Sequence, residues 1–345
     1  MTDTDQVIRL TQFSHGSGCG CKIAPAVLDE ILKGHAPQLN FPGLLVGSES
    51  KDDAAILDIG QDNCLISTTD FFTPIVDDAF DFGRIAAANA ISDVYAMGGK
   101  PVLALAILGF PVEKIPASIA REIIAGAKTI CKEAGIPLAG GHSIDSPEPI
   151  FGLAVNGLVK KENIRCNNTA KAGDLLYLTK ALGTGIMAAA LKRNKIIDND
   201  LKNAIESMVK LNKVGMELAE YSEVHAMTDV TGFGLLGHLI EMCEGSDLSA
   251  EINFNDIPLL GGIKHYMDQF IIPDNTYRNW NAYEKKVVGI NSSAFMPLCD
   301  PQSSGGLLVS VDPSFETEIK KFGSFFEKPI GRFLDNEDYV VKVNE

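Results

Sequence analysis

Hydrophobic residues along the chain occur in short runs that are separated by glycines and polar turn residues. Buried β-strands are predicted at 54–59, 64–69, 102–108 and 150–159. Between them, apolar residues recur with helical spacing over 81–97 and 118–133, and Gly135 ends the second of these helices. Asp81 is the expected N-cap of the first helix. This alternation of strands and helices predicts a mixed α/β domain.

A charged, polar stretch over 160–174 interrupts this pattern, and a second pattern follows it. We therefore expect two domains, 1–159 and 168–345, and a chain of 345 residues is long enough for two domains of roughly 100–200 residues each. In the second domain, strands are predicted near 175–179, 224–227, 250–254 and 305–311, and helices near 183–193, 200–220 and 233–243. Residues 261–300 are polar and are expected to be irregular.

Composition and charge exclude several classes of protein. The chain is 46% hydrophobic and 22% charged, which is typical of globular proteins. Its net charge of −15 argues against binding to nucleic acid or to an anionic membrane. The acidic N-terminus lacks the features of a signal peptide, and the longest uncharged apolar stretch, 101–112, is shorter than the roughly 20 residues of a membrane span. Five scattered cysteines are typical of buried thiols in a reducing cytosol, so we expect a cytoplasmic protein: Cys64, Cys131, Cys166, Cys243 and Cys299.

The other two cysteines, Cys19 and Cys21, lie in a glycine-rich segment, HGSGCGCK, at 15–22. The segment is not a phosphate-binding loop of the G-x-x-x-x-G-K-[ST] type, because glycine is missing where Cys21 stands. Lys22 beside a thiol favours the thiolate, which is the nucleophilic and metal-binding form. Three interpretations stay open: a reactive thiol on a flexible loop, a metal site that includes His15, and a surface loop without a role.

Aspartates stand where several apolar runs begin or end. They are Asp52, Asp53, Asp70, Asp93 and Asp229. A single aspartate in such a place is usually a cap or turn residue. Asp93 is different because it lies inside a helix rich in alanine and isoleucine, with Asn89 one turn earlier on the same face. Hard cations such as Mg²⁺ prefer carboxylate oxygens, so the set predicts a metal–nucleotide site.

Three glycine-containing motifs are less specific. Gly140-Gly141-His142-Ser143 is expected to form a tight turn, either structural or with amide groups facing a ligand. The segment GFGLLG at 232–237 has the form G-x-G-x-x-G, but Glu251 follows it too early for a dinucleotide site, which disfavours NAD binding. The segment DPQSSGG at 300–306 is expected to be a turn, and the sequence assigns it no role.

Taken together and in this order, the motifs resemble those of selenophosphate synthetases. The segments HGSGCGCK, SKDDAA, STTDFF, NAISDVYAMGGKP, LAGGHSID, EPIFGLAVNG, AMTDVTGFGLLGHL and DPQSSGG carry the resemblance, which runs from Arg9 to Gly306 and beyond. The loop is the most specific segment. The aspartate motifs are shared with a wider superfamily of ATP-dependent enzymes similar to aminoimidazole ribonucleotide synthetase. The resemblance implies an N-terminal α/β domain, a C-terminal α+β domain and a homodimer formed through a shared barrel of N-terminal strands.

The resemblance also implies a reaction in which ATP, selenide and water give selenophosphate, AMP and phosphate. Cys19 would be the catalytic residue together with Lys22, and Cys21 an accessory thiol. The Mg²⁺ ligands implied are Asp53, Asp93 and Asp229. The implied ATP contacts are Lys22, Ser50, Lys51, Asp52, Asp70, Asp93, Gly141, His142 and Ser143. A monovalent cation and a selenium-delivery protein are further partners that the family suggests.

One departure and two alternatives accompany this interpretation. Ser50-Lys51 stands where many relatives have Thr-Arg, and lysine supplies the charge of arginine but not its bidentate fork. The first alternative is another ATP-dependent member of the superfamily that acts on an amide or a phosphate, although nothing in such reactions requires two thiols. The second is a non-enzymatic carrier of selenium or a metal, which the aspartates inside apolar elements disfavour.

Overall fold

Two mixed β-sheets, one in each half of the chain, carry the fold. The structure is a computed structural model that describes residues 8–14, 16–21, 30–31, 41–47, 52–291 and 293–345, with the backbone alone for Cys21. Three predicted site residues lie outside the described residues: Lys22, Ser50 and Lys51. His15 lies outside them as well.

In the described part of the chain, the first sheet has six strands in the order β1-β2-β3-β6-β4-β5. Their bounds are β1 Leu44–Val46, β2 Ala55–Gly60, β3 Asn63–Phe72, β4 Lys100–Phe110, β5 Leu138–Asp145 and β6 Ile150–Lys160. All neighbours are antiparallel except β4 and β5, which are parallel. Two helices of this half are α1 (Ala79–Ala96) and α2 (Ala117–Ala134), and α1 packs against α2, β3 and β6.

The second sheet has seven strands within the described residues, in the order β10-β13-β9-β12-β7-β11-β8. Their bounds are β7 Leu175–Leu178, β8 Val224–Asp229, β9 Ser249–Asn253, β10 Val287–Val288, β11 Leu307–Val311, β12 Gly331–Leu334 and β13 Val341–Asn344. The helices of this half are α3 Thr184–Lys192, α4 Asp198–Val209, α5 Val214–Leu218, α6 Gly234–Ser246, α7 Ile263–Met267, α8 Asp274–Tyr283, α9 Phe295–Leu298 and α10 Glu316–Ile319. No helix among the described residues is both long enough and apolar enough to cross a membrane.

Helix α1 lies at the centre of the molecule because almost its whole surface is apolar. Only Phe80, Asp81 and Arg84 of its residues are not buried. It contacts α2 and the first sheet on some sides, and α4, α5 and β8 of the second half on others. A helix that is hydrophobic all round must pack against other elements on every side. Both halves of the chain therefore use α1 as part of their core.

Glycine allows α1 and α2 to cross at very short distance. A Cβ atom added to Gly126 would lie 1.9 Å from the carbonyl oxygen of Phe80, and one added to Gly83 would lie 1.8 Å from that of Ile123. These contacts are between backbones, so no side chain can move away to relieve them. The close crossing fixes the position of α1 against the rest of the first half.

The structure differs from the sequence predictions at several elements. Asp78, not Asp81, caps α1, because its side chain accepts a hydrogen bond from the Asp81 amide. The predicted turn at Gly140–Ser143 is wrong, because these residues lie in β5, where Gly141 fits tightly against Ala106 of β4. The predicted helix over 200–220 is two helices, α4 and α5, with Asn212 between them. The segment 261–300 is not irregular throughout, since it contains α7, α8 and α9.

We predict that Gly126→Ala destabilises the protein even though alanine favours helices over glycine by about 1 kcal/mol. The new methyl group meets backbone atoms of α1, and such overpacking costs about 1–3 kcal/mol or more when nothing can move. The midpoint of thermal unfolding, followed by circular dichroism, should fall by roughly 3–10 °C. Lys128→Ala, an exposed change in the same helix, serves as the control and should leave the midpoint within about 1 °C. An unchanged midpoint for Gly126→Ala would contradict the close crossing.

Candidate active site

Three carboxylates, two of them buried and that of Asp53 half-buried, lie near one another where the two halves of the chain touch. Asp93 lies on α1, Asp229 ends β8 and Asp53 lies two residues before β2. Threonines hold Asp93 and Asp53 in place. Thr68 Oγ1 of β3 donates to Asp93 Oδ2 at 2.5 Å, and Thr228 Oγ1 of β8 donates to Asp53 Oδ1 at 3.0 Å. The second of these hydrogen bonds joins the second half of the chain to the first.

The electrostatics of these carboxylates favour the binding of a cation. Burial raises the pKa of Asp53 and of Asp93, and the negative charge of Asp229 raises both further. Asp70 adds to the repulsion at Asp93. In addition, Asp53 Oδ2 is buried and has no hydrogen-bond partner among the described residues. Buried carboxylates are stable when they are paired or bind a metal, so this donor set fits a hard divalent cation.

A second group of potential ligands fits a metal less well. Atoms of Asp174, His225 and Asp312 all lie within 4.8 Å of one another. However, His225 Nδ1 faces the Asp174 carboxylate at 2.9 Å, and Lys171 Nζ donates to His225 Nε2 at 2.9 Å. Both ring nitrogens are therefore occupied. This group is explained as a hydrogen-bonded chain on the second sheet rather than as a cation site.

The Cys19 thiol connects to the carboxylate cluster through one side chain, that of Asn89. Cys19 begins a short 3-10 turn, has no exposed surface, and its Sγ donates to Asn89 Oδ1 at 3.4 Å. Asn89 Nδ2 in turn donates to Asp70 Oδ2 at 2.7 Å. Asn89 stands one helical turn before Asp93 on α1, so the two side chains share a face. The site therefore places a soft thiol beside hard carboxylates.

The backbone around Cys19 fits its surroundings closely. Gly18 has φ of 54°, and its amide donates to the carbonyl of Thr73 at 3.1 Å. A Cβ at this position would lie 2.3 Å from Ser303 Oγ and 2.5 Å from Ile75 Cδ1. Positive φ and lack of space both require glycine here.

The other predicted residues lie elsewhere or are not described. Asp52 Oδ1 accepts a hydrogen bond from the amide of Asn167 at 2.7 Å, which ties it to the segment between the sheets. Gly141, His142 and Ser143 lie on the edge strand β5, and within the described residues no hydrogen bond joins them to the aspartates. The structure therefore brings together Cys19, Asp53, Asp70, Asp93 and Asp229. It describes neither Lys22, Ser50 and Lys51 nor the side chain of Cys21.

Sequence reasoning missed several side chains that shape the site. Thr68 and Thr228 hold the carboxylates, and Asn89 was singled out only for its position near Asp93. Lys180 follows β7 and is buried, and its Nζ donates to the carbonyl oxygens of Lys210 at 2.7 Å and Ser304 at 2.8 Å. Burial lowers the pKa of Lys180 to about 7, although the charge of Asp229 opposes this shift. Nothing in the sequence distinguishes this lysine from one on the surface.

Known proteins with a similar sequence or structure define the class of protein to which the chain belongs. The family described as AIR synthase related protein, N-terminal domain, matches residues 51–159, and its C-terminal counterpart matches residues 171–344. Thiamine monophosphate kinase from Aquifex aeolicus has a similar structure, with a TM-score of 0.64, 17% identity, and coverage of 92% of this chain and 94% of that one. The hydrogenase maturation protein HypE in complex with ATP gives a TM-score of 0.63, 18% identity, and coverage of 86% and 82%. The chain belongs to the AIR synthase related proteins.

Relatives of known name define the family within this class. The selenide, water dikinase of Aeromonas hydrophila is 55% identical over 312 residues, which cover 90% of this chain and 90% of that protein. The selenide, water dikinase of Pseudomonas aeruginosa is 50% identical over 341 residues, covering 98% and 99%. The chain is therefore a member of the selenide, water dikinase family.

We predict that Mg²⁺ changes how the stability of the protein depends on pH. The raised pKa values of Asp53 and Asp93 mean that the folded protein holds protons which the unfolded chain releases. Their contribution is fully present below the ordinary aspartate pKa of 3.8 and is lost as the pH rises through the higher folded-state values. In EDTA the thermal midpoint should fall as the pH rises above the ordinary aspartate pKa, and saturating Mg²⁺ should remove part of this fall. Burial also raises the pKa of Asp300 to about 8, so Asp300 makes the thermal midpoint fall with pH whether or not Mg²⁺ is present. The measurement is therefore the difference between the midpoint–pH curves in EDTA and in Mg²⁺.

The variant Asp93→Asn tests this assignment. It removes one of the repelling charges while keeping an acceptor for Thr68, so it should raise the midpoint of the metal-free protein at pH 8 and abolish the gain from Mg²⁺. Asp335→Asn removes an exposed carboxylate and should change neither value. Full retention of the Mg²⁺-dependent gain in Asp93→Asn would show that Asp93 does not bind the ion.

Proposed function

We propose that the protein makes selenophosphate from ATP, selenide and water, releasing AMP and phosphate. The observation that supports this most is the path from the Cys19 thiol through Asn89 to Asp70, one turn from Asp93. Selenide is a soft nucleophile, and a thiol is a suitable partner for it. Mg²⁺ that is bound to a polyphosphate prefers hard oxygen ligands, and the adjacent carboxylates would supply them. Relatives named selenide, water dikinase support the same reaction.

In this proposal the carboxylates hold Mg²⁺ and the surrounding residues hold ATP. Asp53, Asp93 and Asp229 would be the metal ligands, and the bound ion would neutralise charge on the phosphates. Phosphoryl transfer depends mainly on positioning and charge neutralisation, which buried and fixed side chains provide. The proposed ATP contacts are Lys22, Ser50, Lys51, Asp52, Asp70, Asp93, Gly141, His142 and Ser143.

The loop residues would handle selenium and exclude water. Asn89 Oδ1 accepts a hydrogen bond from the Cys19 thiol and would orient it. The sulfur is fully covered. Water competes with selenide as a phosphoryl acceptor, and a closed loop would keep it out during transfer. Lys22, three residues after Cys19, is proposed to contact the phosphates, and Cys21 to be an accessory thiol.

The reaction can be tested by phosphorus NMR with ATP, Mg²⁺ and selenide under anaerobic conditions. We predict equal amounts of selenophosphate, AMP and phosphate. Cys19→Ser should reduce selenophosphate formation by at least about 100-fold, because a hydroxyl cannot form a soft anion of low pKa. It should leave ATP binding intact.

Cys21→Ser is the matched control and should keep much of the activity. Equal loss in both variants would indicate a mechanism that needs two thiols. ATP turnover that does not respond to selenide would instead favour another ATP-dependent reaction of the AIR synthase related class.

We also propose a homodimer, because no described helix packs on one face of the first sheet, which carries large apolar side chains. Helices α1 and α2 cover the opposite face, where Ile56 and Ile66 are fully buried. Five strands each expose a large hydrophobic side chain on the face without a described helix: Leu57, Phe71, Leu105, Ile144 and Leu158. An extended apolar patch of this kind is typical of an interface. A second copy of the chain is the expected occupant, as in the superfamily that the sequence resembles.

We predict a mass near 74 kDa by light scattering at micromolar concentration, twice the chain mass of 37.0 kDa. Leu105→Glu places a charge on the patch and should give the monomer mass. Leu259→Glu is the control, because Leu259 has the same exposure, 38%, but lies in the second half of the chain. A monomer for the unmodified protein, or an intact dimer for Leu105→Glu, would contradict the proposed interface.

A further inference from the structure

The segment that carries Cys19 is held by both halves of the chain. Arg9 Nε pairs with Asp77 Oδ2 of the first half at 2.8 Å, while Arg9 Nη2 donates to the carbonyl of Leu191 on α3 at 3.1 Å. Gly18 bonds to Thr73 of the first half. The segment thus crosses the boundary between the two sheets, and separate residues hold it to each half of the chain.

Lys192, at the end of α3, holds the segment just before the cysteines. Its Nζ donates to the carbonyl oxygen of Ser14 at 2.8 Å and to that of Gly16 at 3.1 Å. Partial burial lowers the pKa of Lys192, and the charge of Glu148 opposes this shift. A charged donor that serves two carbonyl groups of one loop restrains that loop more strongly than a neutral hydrogen bond would.

Ser303 holds the segment at Cys19 itself. Its Oγ accepts a hydrogen bond from the Cys19 amide at 2.9 Å, and both residues are buried. The Ser303 amide donates to Thr184 Oγ1 at the start of α3. Ser303 belongs to the DPQSSGG segment, whose role the sequence left unassigned.

The neighbours of Ser303 make this segment rigid. Gln302 Oε1 accepts from the amides of Gly183 and Thr184, and Asp300 Oδ2 accepts from the amides of Gly185 and Ile186. These four amides lie at the N-terminus of α3 and would otherwise lack partners. Ser303 and Lys192 are thus joined through the two ends of one helix.

We infer that Ser303 and Lys192 are positioning residues: from the second half of the chain they hold the Cys19 loop in the closed conformation in which its thiol is covered and bonded to Asn89. This inference deepens the proposed function and rests on it for the role of the thiol. Neither side chain contacts the aspartates through a described hydrogen bond, so each acts through the loop. Removing one buried hydrogen bond shifts such an equilibrium by about tenfold, and removing a charged one shifts it further.

The inference is tested by the rate at which iodoacetamide alkylates Cys19. The full-length protein is used in a Cys21→Ser background, so that the loop has one thiol, and mass spectrometry of the loop peptide reads the modification. Ser303→Ala and Lys192→Met should each raise the rate by about fivefold or more, because the covered sulfur becomes accessible. Lys192→Arg keeps a charged donor and should restore a slow rate.

Two matched controls separate loop release from general destabilisation. Ser249→Ala removes another buried serine of the second half whose Oγ accepts a backbone amide, that of Glu337 at 3.0 Å. Lys195→Met removes an exposed positive charge three residues after Lys192. Both controls should leave the alkylation rate unchanged. Rates in Ser303→Ala and Lys192→Met that match these controls would overturn the inference.

Kinetics provide a second readout. In Ser303→Ala and Lys192→Met, kcat for selenide-dependent AMP formation should fall at least fivefold while the KM for ATP stays within twofold. A rise in the KM for ATP without loss of kcat would show that the residues serve nucleotide binding instead. The alkylation test does not depend on the reaction catalysed. It can therefore contradict the inference while selenophosphate forms, and it can support the inference even if the protein acts on another substrate.

Discussion

The mutual repulsion of Asp53, Asp93 and Asp229 is the constraint around which the two halves are arranged. Each carboxylate comes from a different element, and two of those elements belong to different sheets. Bringing such groups together out of water is unfavourable unless a cation joins them. Thr68 and Thr228 lower the cost by donating to Asp93 and Asp53. A divalent ion bound as proposed would therefore link its binding to the association of the two halves.

Helix α1 turns this arrangement into a fixed geometry. It carries Asn89 and Asp93 four residues apart, so the distance between the thiol contact and the carboxylate is set by the helix. The glycine crossing with α2 prevents α1 from sliding, since backbone atoms already touch. The Cys19 segment, in contrast, is held by individual hydrogen bonds. The site combines a rigid helix with a loop that can be released.

The sequence predicted most elements of the first half because their hydrophobic patterns are simple. It failed at β5, because two adjacent glycines indicate a turn locally, whereas here Gly141 permits close pairing with β4. It failed within 261–300, where α7 and α9 have five and four residues and are too short to show a helical period. These are places where tertiary packing, not local pattern, decides the structure.

For the candidate site, the sequence singled out the aspartates and Cys19 by residue type and position, and their roles stay predictions. It could not single out Ser303 or Thr228. Serine and threonine are common, and the partners of these two lie 284 and 175 residues away along the chain. Only folding brings such pairs together. The complete burial of Cys19 also bears on oxidation: formation of a sulfenic acid requires an accessible sulfur, and here the Cys19 sulfur is fully covered. If the loop opens as proposed, the exposure of Cys19 to peroxide would follow the fraction of time that the loop spends open.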